Sequence, residues 1–227
     1  MENRVSYKSI LNSMLSVIIT LMIYGCQSPI EQGNVNINEA EITYDSTDIA
    51  VGNQIWMSRN VKTVVFRNGD TIFQAKNMNE WLQAGLNKKP AWCMYNYDSI
   101  NGSKYGNLYN YYAVIDSRGL APRGYHVPTD KEWDELCTYI GGESQAGRKL
   151  KGIQLGGENE IRFNALLGGA NYIDSCKHIE QSGFWWTSTE NIPHRSWARQ
   201  IEKNSSILYR MFAEQFCGFS VRCLRNK

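Results

Sequence analysis

The sequence predicts an α+β domain: a small antiparallel sheet, one or two short helices and long irregular loops. Three observations carry that reading. A fully marked helix start stands at Thr129, the C-terminal third breaks into short β-rich runs, and the 227 residues include 13 Tyr, 7 Trp and 7 Phe. Such an aromatic load excludes disorder, because disordered chains lack the side chains that build a core. Lys and Arg number 24 against 22 Asp and Glu, a formal charge of +2. That balance supplies no basic stripe, so no nucleic-acid partner is expected.

The N-terminal residues set the compartment. Arg4 and Lys8 precede a largely apolar run from Ile10 to Ile23. The run is shorter than the roughly 20 residues of a membrane-spanning helix and has the layout of a secretory signal. It ends in Ile23-Tyr24-Gly25-Cys26, which resembles the lipobox of bacterial lipoproteins. Residues 1–25 therefore read as a lipoprotein signal peptide and Cys26 as the lipidated residue, with the membrane as a partner and the outer membrane as the expected location. Residues 26–41 are a polar tether without hydrophobic period. Its start, Gln27-Ser28-Pro29-Ile30-Glu31, carries one acidic residue, which leaves open whether the protein faces the periplasm or the cell surface. Residues 42–227 show no second linker and no repeat, and read as one domain large enough for a real core.

Within that domain Gln54 to Met57 and Val61 to Phe66 read as strands, with Arg67-Asn68-Gly69-Asp70 as a hairpin turn. A short helix is expected from Met78 to Gln83, capped by Asn77 with Glu80 three residues on, ending near Gly85. The second helix is the better marked. In Thr129-Asp130-Lys131-Glu132 the Thr hydroxyl can accept from the third amide while Glu132 reaches back. Trp133, Leu136, Cys137 and Ile140 then recur on one face, and Gly141-Gly142 stops the run. Strands are expected at Phe184 to Thr189, Trp197 to Ile201, Ile207 to Phe212 and Phe219 to Leu224. In the last, Phe219, Val221 and Cys223 share one face and Ser220, Arg222 and Leu224 the other.

Several long stretches occur in a characteristic order. They are Val51 to Thr63, Tyr105 to Val114, Gly119 to Trp133 (with Pro128-Thr129-Asp130-Lys131-Glu132-Trp133), Gly183 to Thr189 and Gly218 to Cys223. Together they resemble the Fibrobacter succinogenes major paralogous domain, found in exported proteins of Bacteroidetes and Fibrobacteres, over about Thr43 to Arg225. The Lys151–Phe163 segment looks short for that family, and Cys137, Cys176 and Cys217 are additions to its pattern. The family has no established activity, so the resemblance implies no enzyme and no cofactor. The helix start and the closing Gly-Phe-Ser-Val-Arg are similar to the formylglycine-generating-enzyme-like branch of C-type-lectin-like folds, which implies a lectin-like architecture; function does not travel on a fold. The resemblance also implies a Cys93–Cys223 disulfide, with Cys137 as the competing partner.

Candidate sites are weighed against plainer roles. Cys217 and Cys223 invite comparison with the copper-binding pair of formylglycine-generating enzymes, but a core-facing Cys223 favours a structural role. No sugar-binding Glu-Pro-Asn or Gln-Pro-Asp tripeptide occurs, the three His lack ligand spacing, and no metal is expected. The acids of Asp130 to Glu135 suit the positive end of a helix better than a glycosidase pair. Aromatic residues are the stronger candidates. Trp185 and Trp186 are adjacent on a strand, so one is expected to face the core and the other outward or a groove, and Tyr109, Tyr111 and Tyr112 crowd the preceding loops. Ser46, Thr71 and Ser99 sit in Asp-Ser/Thr-aliphatic/Thr triplets that resemble O-glycosylation sites of exported Bacteroidetes proteins. The expected function is non-enzymatic binding of a surface glycan or an envelope protein. The alternative is a structural or accessory subunit of a surface assembly; a formylglycine-generating-like enzyme comes last.

Overall fold

Local hydrogen bonding at Thr129 forms as the residues dictate. In the computed structural model, which describes residues 47–227, the Thr129 hydroxyl accepts from the Glu132 amide at 3.2 Å. The Glu132 carboxylate accepts from the Thr129 amide at 2.8 Å, closing the capping box. The described residues lie in one compact unit, Ile42–Lys227. Its elements are β1 (Ile49–Val51), β2 (Gln54–Trp56), β3 (Phe73–Gln74), α1 (Met78–Leu86), β4 (Ala91–Cys93), α2 (Ser99–Tyr105), β5 (Leu108–Tyr109), α3 (Tyr111–Val114), β6 (Tyr125–His126), α4 (Asp130–Tyr139), α5 (Glu143–Leu150), β7 (Gly168–Asn171), β8 (Cys176–Ile179), β9 (Ser182–Ile192), β10 (Arg195–Glu202), β11 (Leu208–Glu214) and β12 (Leu224–Arg225).

The class is α+β, with more sheets and helices than expected. Three small sheets form, ordered β1-β2-β12-β6, β11-β10-β9-β7-β8 and β3-β4-β5. Two pairs, β3 with β4 and β7 with β9, are parallel, so the single antiparallel sheet is corrected. Val61 to Phe66 is extended but is no strand. Its amides and carbonyls bond to distant loop partners, Val61 N to Val221 O at 2.8 Å and Asn107 N to Val61 O at 3.3 Å, and only Val65 bridges Thr71. The Phe66–Asp70 hairpin closes at 2.8 Å. The helices α2, α3 and α5 were not expected. Asp98 and Asn110 cap α2 and α3 with their side chains. Gly141 and Gly142, both at positive φ, end α4 and turn directly into α5.

Three apolar clusters build the core. One lies under α4 and α5, where Phe163 meets Trp56 and Trp133 edge to face at centroid distances of 5.9 Å and the two indoles lie tilted together at 4.8 Å. Trp185 joins it at 6.4 Å from Trp133. Its neighbour Trp186 points the other way, as strand alternation requires, into a second cluster with Tyr111 at 5.4 Å and Phe219 at 4.5 Å. Both indoles are fully buried. The expectation that one faces outward or into a groove is corrected: β9 is covered on both faces, by α4 and α5 on one side and by the Tyr109–Val114 segment with α3 and the Phe219 loop on the other. Each buried ring contributes roughly 1.5–3 kcal/mol of transfer free energy.

Among the described residues no cysteines pair. Cys93, Cys137, Cys176, Cys217 and Cys223 are free thiols. Cys93, Cys137 and Cys223 belong to three different apolar clusters, which separates the expected Cys93–Cys223 pair and its competitor Cys137 alike. Cys26 and Ser46 lie outside the described residues.

Candidate functional site

The hairpin after Val65 builds the wall of a cleft. Gly69 takes φ +94°, and Asn68 Oδ1 accepts from the Asp70 amide at 3.0 Å, so the turn is held locally. Arg67 fastens it to the next loop by donating to Ala121 O at 3.0 and 3.1 Å and to Tyr125 O at 3.0 Å. Beside it Arg118 grips both oxygens of Asp116 at 2.9 Å, reaches Asp70 at 3.2 Å, and lies 4.1 Å over the Phe66 ring. The paired guanidinium holds Asp116 below the ordinary carboxylate range. Asp70 is held low by its hydrogen bond from Asn68 and then by Arg118.

Opposite the hairpin run β3 and β4. Trp92 donates from Nε1 to Ile72 O at 3.2 Å, which fixes the indole as part of the floor. Phe73 is half-buried with Lys89 Nζ 3.7 Å above its ring. The cleft is open to solvent and has a volume of about 660 Å³. Phe66, Ile72 and Trp92 are buried beneath its apolar floor and half-buried Phe73 is the ring nearest its surface, while Thr71, Gln74, Lys89 and Arg118 supply donors at the rim. Among the described residues that line it are no carboxylate, histidine or cysteine. The arrangement sets rim donors beside an apolar floor and can bind and orient a ligand.

The expected aromatic site residues are placed elsewhere. Trp185, Trp186, Tyr109 and Tyr111 are buried structural rings, which removes them as a binding face. Their polar ends are satisfied internally: Trp185 Nε1 to Asn60 Oδ1, Trp186 Nε1 to Tyr109 O, Tyr109 OH to Thr63 O and Tyr111 OH to Ser188 O, at 2.7 to 3.0 Å. Tyr112 is half-buried. Thr71 is exposed at the cleft's edge; Ser99 is exposed but opens α2, not a loop as expected. Glu158 and Glu160 pair with Arg148 and Lys149 at 2.8 and 3.0 Å. Among the described residues no group of three or more His, Cys, Asp or Glu could hold a metal. Burial pushes the Cys217 and Cys223 thiols up to about 12, the opposite of a reactive cysteine.

The cleft draws on three separated segments, 64–74, 89–92 and 118. Periodicity could not find it, because its residues stand in loops and two- or three-residue strands. The ordered motifs are the more global signal. A family model, the Fibrobacter succinogenes major domain, matches residues 49–225. The chain belongs to that family. No curated protein and no solved structure matches it. The matched range of this Fibrobacter succinogenes major domain runs from β1 to β12 and so includes every segment of the cleft. Among its described residues no helix is long and apolar enough to cross a membrane.

Proposed function

We propose that this domain is the ligand-binding module of a lipid-anchored envelope protein, and that the cleft between Phe66 and Trp92 takes a carbohydrate without catalysing a reaction. The observation that carries the reading is the cleft itself: the half-buried Phe73 ring over an apolar floor, beside rim donors. Sugars present apolar C–H faces and hydroxyl edges, and such a pocket meets both. The signal-like residues 1–25 and Cys26 support export and anchoring at the outer membrane. The family membership, the Pro-Thr-Asp-x-Glu-Trp helix start and the long loops support a C-type-lectin-like fold.

A glycan array probed with the purified full-length chain tests the binding claim. Saturable binding is expected, and Phe73→Ala is expected to weaken it about tenfold, in line with roughly 1.4 kcal/mol for a lost aromatic contact. Absence of glycan binding together with isolation in a stoichiometric complex would favour a subunit of a surface assembly instead. Anchoring is tested separately: labelled fatty acid should enter the wild type and not Cys26→Ala.

A further inference from the structure

Arg222 is almost fully buried, yet among the described residues no carboxylate pairs with it. Its Nε and Nη2 donate to Asn60 Oδ1 at 3.3 and 3.0 Å, and Nη1 donates to the carbonyl of Phe163. The guanidinium lies 4.1 Å over the Phe163 ring. A guanidinium has five N–H donors, so two are left after these contacts. Burying an unpaired cation is costly, and burial alone draws its pKa down to about 9.

The surroundings add more positive charge. Arg222 lies on the wall of a 360 Å³ cavity shared with Arg59, Lys62, Lys104, Asn60 and Asn164. The described residues lining it include no Asp or Glu. Lys104 is neutralised from outside by Glu180 at 3.0 Å, with Tyr105 OH on the same carboxylate. Lys62 Nζ donates to Ser103 O at 2.6 Å and meets no carboxylate among the described residues. The walls are held rather than loose: Asn60 Nδ2 donates to Tyr105 O and Ser220 Oγ. Gly106, at φ +91°, brings its backbone so close that a Cβ would sit 3.0 Å from Asn60 Cβ.

We propose that this cavity is an oxyanion site, taking a sulfate, phosphate or carboxylate group, with Arg222 as its buried anchor and Arg59 and Lys62 as its rim. Planar N–H groups of arginine match oxyanion geometry, and an anion would supply the charge that the protein leaves missing. The site is separate from the aromatic cleft and stands without it.

Isothermal titration of the full-length chain in detergent with sodium sulfate, inorganic phosphate and glucuronate, at constant ionic strength, tests the assignment. Saturable binding of at least one probe is expected, and the preferred probe separates a tetrahedral from a planar ligand. Arg222→Gln should abolish binding. Because that variant alters a packed residue, Arg59→Gln with Lys62→Gln provides the second arm: both are exposed, and affinity should fall at least tenfold at unchanged Tm. Phe73→Ala in the other cleft should leave it unchanged. No saturable binding of any probe, equal affinity in the rim variant, or loss of affinity in Phe73→Ala would each overturn the proposal.

Discussion

At the scale of single residues, the strongest internal electrostatics surround Arg199. Its side chain is fully buried, and Nη2 donates to Asp130 Oδ1 at 2.6 Å, Asp134 Oδ1 at 2.7 Å and the Asp130 carbonyl at 3.0 Å. Arg210, its cross-strand neighbour, takes the other oxygen of Asp130 at 2.7 Å. The acids of the Asp130–Glu135 run thus do more than face a helix dipole: they bolt α4 onto the sheet. Breaking a buried pair leaves an uncompensated charge and costs roughly 3–5 kcal/mol. Asp130→Asn leaves Asp134 on Arg199, so it should lower the unfolding free energy in urea by roughly the lower end of that range, about 3 kcal/mol, and a loss under about 1 kcal/mol would refute the role. Adding Arg199→Met to it should recover part of the loss, since Arg199 Nε and Nη1 have no hydrogen-bond partner among the described residues. Thiol labelling of the native protein separates the cysteines in the same way. Half-buried Cys176 should react first, and Cys93, Cys217 and Cys223 only on unfolding.

At the scale of elements, what was legible in the sequence is what local chemistry decides. Helix α4 carries its start, its face and its stop within 14 residues, Thr129 to Gly142, and every part forms. Strands β9 to β11 were readable from their β-branched and aromatic runs. Segments held by distant partners were not. Val61 to Phe66 has strand composition but meets loops, and α3 spans only four residues. The α5 helix was hidden because Gly141-Gly142 reads as an end, and Ala146 and Leu150 alone mark its buried face beyond Gly147. The two candidate cavities share the same cause of illegibility: each joins residues from several chain segments. The capping box yields a pH prediction. Burial works to raise the Glu132 carboxyl, but hydrogen bonds from the Thr129 amide, His126 and the Thr129 hydroxyl outweigh it and hold its pKa below 4.5. A depressed folded pKa gives stability that is full above the unfolded value and lost as pH falls through the folded one. Glu132→Gln should therefore flatten the acid limb of the stability profile below about pH 4.5, and an unchanged limb would count against it. Thr129→Ala should cost about 1 kcal/mol.

At the scale of the whole molecule, β9 is the shared wall of two clusters. Trp185 belongs to the one under α4 and α5, and Trp186 to the one against Tyr111 and Phe219. A strand that supplies adjacent, fully buried indoles to both sides cannot leave one cluster while the other stays packed, because withdrawing it opens both. The two clusters should consequently unfold as one cooperative unit, although the family match spans residues 49–225 and chains above about 150 residues often show intermediates. Leu136→Ala strikes the first cluster and Phe219→Ala the second; each is expected to cost roughly 2–5 kcal/mol as a cavity in a packed core. Both variants should move the same single urea transition, with tryptophan fluorescence and near-ultraviolet circular dichroism coincident. The shared wall would be disproved by two transitions, one shifted by Leu136→Ala and the other only by Phe219→Ala, because each cluster would then be able to open around an intact β9.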